Sequence, residues 1–234
     1  MRLKLVFRLK SNVISKDYRR IFMSFIKKSL ENYDKEIFEE YFKNKDPILK
    51  DYTFSVYFGK CRFEENIKLE NDNISMFFST SSYKTGMHFY NAFRAMKYKD
   101  FPTKNNILKL NNIIRLSEKN IYKNEIIIKT LSPILIREHN KEKDNYYYFD
   151  DENATEILKN SIIYQYNKLF GNGCKSFDIK VLDLKKTTVL NYNKKLKSNL
   201  GVFKATGDKE ILNFIYKSGI GSKRSSGFGM VDII

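Results

Sequence analysis

Apolar and polar positions alternate with period two from Arg2 to Leu9, where Leu3, Leu5, Phe7 and Leu9 interleave with Arg2, Lys4 and Arg8. That alternation predicts a half-buried strand. Tyr18, Ile21, Phe22, Phe25, Ile26 and Leu30 then recur at helical spacing behind Ser15 or Asp17, either of which can cap the helix. A second helical stretch, Asp34–Phe42, is stopped before Pro47. The β-branched and aromatic content of Tyr52–Phe58, Cys61–Leu69 and Ile74–Ser79 predicts three strands. A helix over Thr85–Lys97, with Phe89, Phe93 and Met96 inward, and a strand over Ile107–Leu116 complete the first half.

The second half repeats the cycle. Strands are predicted at Glu125–Leu131 and Ile134–Arg137, separated by Ser132 and Pro133, and at Tyr146–Phe149 after a polar tip. A long helix, Ala154–Leu169, is ended by Gly171. Strands at Phe177–Leu184, Thr187–Tyr192 and Gly201–Thr206, a helix over Asp208–Tyr216 and a strand over Met230–Ile234 close the chain. Two βαββαβ-like cycles predict an α+β protein of two tandem ferredoxin-like domains, residues 1–120 and 121–234, divided in the polar stretch Glu118–Lys123. No internal sequence identity accompanies this repeat.

Charge changes the picture. The 234 residues carry 43 Lys+Arg against 27 Asp+Glu, a formal net charge of +16. Such an excess points to a phosphate-bearing partner. Aromatic residues make up 15% with no Trp, and rings among cations suit single-stranded RNA. An AT-rich genome inflates the same aromatics, so charge is the better clue. No apolar run approaches a membrane span, and the first strand pattern is unlike a signal peptide. A cytoplasmic protein is expected, with Cys61 and Cys174 as buried thiols. No His, Cys, Asp or Glu spacing suits a metal, and no cofactor is expected.

Near the end, Gly219 and Gly221, then Gly227 and Gly229, bracket Lys223, Arg224, Ser225 and Ser226. Four glycines and two cations suit a loop that turns amides and charge toward a polyanion. The spacing is not G-x-G-x-x-G, and no Gly-Lys-Ser/Thr follows, so nucleotide-binding loops fit poorly. Arg137, leaving a strand, is a further RNA candidate. The run from Asn193 to Lys197 is either a solvated loop or part of the groove. His88 is expected as a partly exposed helix residue and His139 as solvated surface.

Together, the opening strand with Ile14–Arg20, then Tyr52–Ser55, Lys129–Ile134, the helix before Gly171, and Gly207–Leu212 leading into the glycine-rich terminus resemble the CRISPR-associated repeat-processing endoribonucleases of the RAMP superfamily. The resemblance covers most of the chain. It implies recognition of the repeat in a precursor transcript, as single strand or stem-loop, and metal-independent cleavage. The 2′-OH would attack its own phosphate, leaving a 2′,3′-cyclic phosphate and a free 5′-OH. A base, an acid and a stabiliser of the phosphorane charge are then needed.

Family members commonly place a histidine after the first helix. Here residues 1–87 contain none, and the segment offers Tyr33, Tyr41, Lys43, Lys45 and Lys50 instead. Lysine becomes a base only if burial or neighbouring cations lower its pKa. Lys/Tyr catalysis, an engineered loss of the histidine, and a natural RNA binder that cuts slowly remain open. A non-cleaving guide-RNA-binding subunit of an effector complex fits the same features, and so does a structural subunit whose basic face docks an acidic protein. The chain is read as a monomer or homodimer.

Overall fold

β1 (Arg2–Leu9) sits at the centre of the first sheet, which explains its strict alternation. Leu3, Leu5, Phe7 and Leu9 turn to one face and are buried there. The computed structural model describes residues 1–44, 48–139, 143–171, 173, 176–192 and 194–234. After β1 come β2 (Val13–Ile14), α1 (Tyr18–Tyr33), α2 (Lys35–Phe42), β3 (Tyr52–Tyr57), β4 (Cys61–Phe63), β5 (Ile67–Leu69), β6 (Asn73–Thr80), α3 (Tyr83–Ala95), β7 (Asp100–Pro102) and β8 (Ile107–Leu116). The main sheet runs β3-β6-β1-β8-β7, antiparallel throughout. Its helix-covered face is dominated by phenylalanine: Phe7 meets Phe22 and Phe25 edge-on, at 5.4 and 4.9 Å between ring centroids. Such aromatic pairs add to the gain from burial alone.

The second sheet repeats the plan with β9 (Glu125–Thr130), β10 (Ile136–His139), β11 (Asp144–Tyr147), α4 (Ala154–Phe170), β12 (Phe177–Asn191), β13 (Lys194–Gly207), α5 (Lys209–Ser218) and β14 (Val231–Ile233). Its order, β12-β13-β9-β14, matches β3-β6-β1-β8 strand for strand, the arrangement of a ferredoxin-like domain. β10 and β11 form a separate hairpin. No helix among the described residues is long and apolar enough to cross a membrane.

Three sequence readings change. Cys61–Leu69 is a hairpin of two short strands, β4 and β5, because the polar residues between Phe63 and Ile67 turn the chain. Cys61 itself is only half-buried, and Cys174 lies outside the described residues. The three predicted strands between Phe177 and Thr206 are in fact two long ones, β12 and β13, of 15 and 14 residues. Gly201 reads as a strand start but sits mid-strand, opposite a register shift at Val181/Asp183. Its φ is +151°, and a Cβ there would stand 2.0 Å from the Asp183 carbonyl oxygen, so only glycine lets β13 run on past the bulge.

The glycine-rich segment is packed between the two domains. A 3₁₀ turn, Arg224–Ser226, lies against β3, the edge strand of the first sheet, and covers it. Gly219, Gly221, Gly227 and Gly229 are all buried. At Gly229, φ is +69° and a Cβ would meet the Ile220 carbonyl oxygen at 1.8 Å. These four glycines therefore serve close backbone packing, which corrects the expectation that they line a phosphate-binding groove. Arg224 is corrected likewise. It is 4% exposed, its Nη1 and Nη2 donate to the carbonyls of Ser218 and Lys50 at 3.1 Å each, and it stacks on Phe214. Burial pushes its guanidinium down to about 10, so it stays charged at neutral pH.

Arg224→Met leaves both carbonyls without their donor, a loss of about 2–4 kcal/mol. That corresponds to a Tm lower by roughly 5–15 °C for a chain of this size. Lys223→Ala should leave Tm nearly unchanged. Equal melting of the two variants in calorimetry would contradict the structural role given to Arg224.

Candidate nucleic-acid interface and active site

Lys223 separates from its neighbour because the backbone turns left-handed there, with φ of +54°. Its side chain leaves the junction and lines an open cavity of ≈ 700 Å³ together with Lys143, Lys194, Lys195, Tyr146 and Tyr192. Burial, and then Arg137 nearby, push the Lys223 ammonium below its usual range. Cations around aromatic faces are what a single-stranded nucleic acid requires. The Asn193–Lys197 run thus supplies Lys194 and Lys195 to the cavity, while Lys197 turns away to pair with Asp151 at 2.9 Å. Asn193 lies outside the described residues. Arg137 is half-buried and pairs with Asp144 at 3.2 Å, and His139 pairs with the same carboxylate at 2.7 Å. Ser225 and Ser226 are half-buried at the edge of the junction.

The residues picked for proton transfer separate sharply. Lys50 sits just before β3, partly buried, with Nζ 4.0 Å from the centroid of the Phe42 ring. Burial, and then the Lys27 ammonium, push it down to about 8. It therefore populates both charge states near neutral pH, as proton-transfer groups must. Its carbonyl accepts from Arg224, so it is tied directly to the loop carrying Lys223.

Tyr41 is held differently. Its hydroxyl lies 2.8 Å from Thr85 Oγ1, and Thr85 in turn donates to the Asp51 carboxylate at 3.0 Å. With the Thr85 proton so committed, Tyr41 is the donor in that pair. Burial raises Tyr41 to about 12, which keeps its proton in place. Tyr33 is exposed at the end of α1 and accepts from Asn91 Nδ2. Lys43 is exposed and pairs with Glu39 at 3.1 Å, and Lys45 lies outside the described residues. His88 is half-buried as expected. Its Nδ1 is buried without a hydrogen-bond partner, and its ring stands edge-on to Tyr41 at 6.4 Å.

Sequence reasoning passed over Lys143, Tyr192 and Lys27. The first two belong to hairpins that only the fold brings beside Lys223. Lys27 was hidden in the polar face of α1, where a lysine is unremarked.

Residues 116–233, which include the whole second sheet and the glycine-rich segment, match the family model "CRISPR associated protein Cas6, C-terminal". A CRISPR-associated endoribonuclease-like protein of Pyrococcus furiosus is 31% identical over 177 residues, covering 73% of this chain and 72% of the relative. This chain belongs to the Cas6 family. Another relative, the CRISPR-associated endoribonuclease Cas6 1 of Methanocaldococcus jannaschii, is 31% identical over 45% of this chain and 44% of its own. Among solved structures, a Cas6-related protein from Pyrococcus furiosus superposes with a TM-score of 0.86 and 28% identity, over 100% of this chain and 98% of the other. The Cas6 likeness thus extends over both ferredoxin-like domains.

In this Cas6-family chain, Lys223→Ala should lower the log–log salt slope of RNA binding by about 0.7, the value of one single-strand phosphate contact. A slope that stays put in fluorescence anisotropy titrations would remove Lys223 from the interface.

Proposed function

We propose that this chain is an endoribonuclease that binds CRISPR repeat RNA and cuts it without a metal, through 2′-OH attack that leaves a 2′,3′-cyclic phosphate. The observation that carries the reading is Lys50: a lysine brought to about 8 and fastened to the segment that presents Lys223. Its amine form takes the 2′-OH proton as the oxygen attacks phosphorus. The departing 5′ oxygen gains a proton from a donor that the exposed Tyr33 phenol is suited to be. Lys223 and its cavity hold the flanking backbone, with Ser225 and Ser226 as added donors. Tyr41, locked to Thr85, supports the framework around Lys50.

A second reading, an RNA binder that does not cut, is favoured by one observation: no histidine occurs in residues 1–87. Incubating the purified chain with repeat RNA in EDTA separates the two. Cyclic-phosphate ends support the enzyme, and shifted but intact RNA supports the binder. Under single turnover, Lys50→Ala should cost about 10²–10⁴-fold in rate with affinity retained. Because the amine is the working form, the wild-type rate should climb as pH rises through about 8 and then level off. A rate indifferent to Lys50 would place the proton transfer elsewhere.

A further inference from the structure

The solvent face of α1 leads from the basic cavity to Lys50. Arg20, Ser24 and Lys27 are exposed and, at spacings of four and three residues, share one side of the helix. Arg20 marks the cavity end, with its guanidinium 5.2 Å from the centroid of the Tyr192 ring. Lys27 lies two turns further on, about 10 Å along the axis. Its Nζ is 5.3 Å from the centroid of the Phe42 ring, the same ring on which Lys50 rests at 4.0 Å.

Two ammonium groups on one aromatic ring attract the ring but repel each other. The carboxylates of α1 and its N-cap do not relieve them: Asp17, just ahead of the helix, pairs with Arg20, and Glu31 with Lys28. From α2, Glu40 pairs with Lys84 of α3 and Glu39 with Lys43, and Glu36 makes no ion pair with Lys27 or Lys50. Asp51 accepts hydrogen bonds from Thr85 and Thr80, and Arg224 meets Lys50 at its carbonyl. Among the described residues, then, no carboxylate pairs with either cation. An anion at Lys27 would meet no competing carboxylate.

We propose that Lys27 and Lys50 cradle the scissile RNA phosphodiester above the Phe42 ring, the Lys27 ammonium gripping its non-bridging oxygens, the Lys50 amine facing its 2′-OH, and the α1 face guiding the strand there from the cavity. The inference rests on the endoribonuclease reading and adds to it the residue that holds the scissile phosphate. Burial does most to loosen Lys50's hold on its proton, and Lys27 adds to it. Removing Lys27 therefore moves Lys50's titration to higher pH.

Two variants test this: Lys27→Met, which keeps the stem against Phe42, and Lys27→Arg, which keeps the charge. The first readout is acylation of Lys50 by acetic anhydride across pH, followed by mass spectrometry on RNA-free protein. In Lys27→Met the inflection should rise, and in Lys27→Arg it should stay. With repeat RNA under single turnover, Lys27→Met should slow cleavage about 10–100-fold and lower the salt slope by about 0.7, and Lys27→Arg should recover both. Unchanged acylation and unchanged cleavage in Lys27→Met would overturn the cradle. If the wild-type chain binds repeat RNA without cutting it, the endoribonuclease reading falls, and the cradle is then judged by protection. RNA must shield Lys27 and Lys50 from acylation, and equal labelling with and without RNA overturns it.

Discussion

Three arginine side chains drawn out of water hold the two domains of this protein in register. Arg2, Arg19 and Arg224 are 4%, 6% and 4% exposed. Arg2 donates to the carbonyls of Tyr216 and Val231, Arg19 to that of Gly227, and Arg224 to that of Lys50, so each reaches across the junction. Each also lies on an aromatic ring, Tyr216, Phe228 and Phe214 respectively. Burying a cation is costly, and among the described residues only Arg2 has a carboxylate ion-paired to it, the partly exposed Asp232 at 3.9 Å. Carbonyl acceptors at fixed positions and ring faces offset part of that cost, and a planar guanidinium meets both at once where an ammonium cannot. The benefit is geometric. A guanidinium caught between fixed carbonyls tolerates little sliding of one sheet against the other.

The site inherits that precision. Arg224 joins the carbonyl of Lys50 to the end of α5, and the left-handed turn at Lys223 directs the adjacent cation outward. Neighbouring residues in one short loop thus take opposite parts, one structural and one facing the cavity. The same division runs through the net charge. Some cations are consumed in surface pairs such as Lys204 with Glu125 and Lys186 with Asp150. Others gather around Tyr146 and Tyr192, where a phosphate chain would find them, with Lys223 alone among them partly desolvated. Net charge is a property of the composition; a binding surface requires the fold to sort it.

Much of the fold could be read from local pattern. The alternation of β1, the apolar stripe of α1 and the strand Ile107–Leu116 all stand where period and residue type put them. Asp34 caps α2 through Ile37 N, and Ser82 caps α3 through Thr85 N. Neither cap is read from the chain, and at α1, where Ser15 or Asp17 is expected to cap, no side-chain cap bond forms. The long hairpin of β12 and β13 is not legible either, because Gly201 signals a break until a partner strand with a bulge is set beside it. The glycine-rich terminus misled for a related reason. Glycine marks close approach or positive φ, and which neighbour approaches is not written locally. Here it is protein backbone at Gly229 and the Phe54 ring at Gly227.

The amino-acid order alone determined the two βαββαβ cycles and the excess of cations, since each rests on periodicity or composition, while the candidate segment around Lys50 followed from the resemblance to the family. Tertiary structure alone decided which cations face water and which are enclosed. It buried Arg224 while leaving Lys223 at the cavity, and it set Lys27 and Lys50 on one ring from positions 23 residues apart in the chain. The reason is dielectric. A side chain's charge state and reach follow from how much water surrounds it and which groups replace that water, and those are fixed only when distant segments pack.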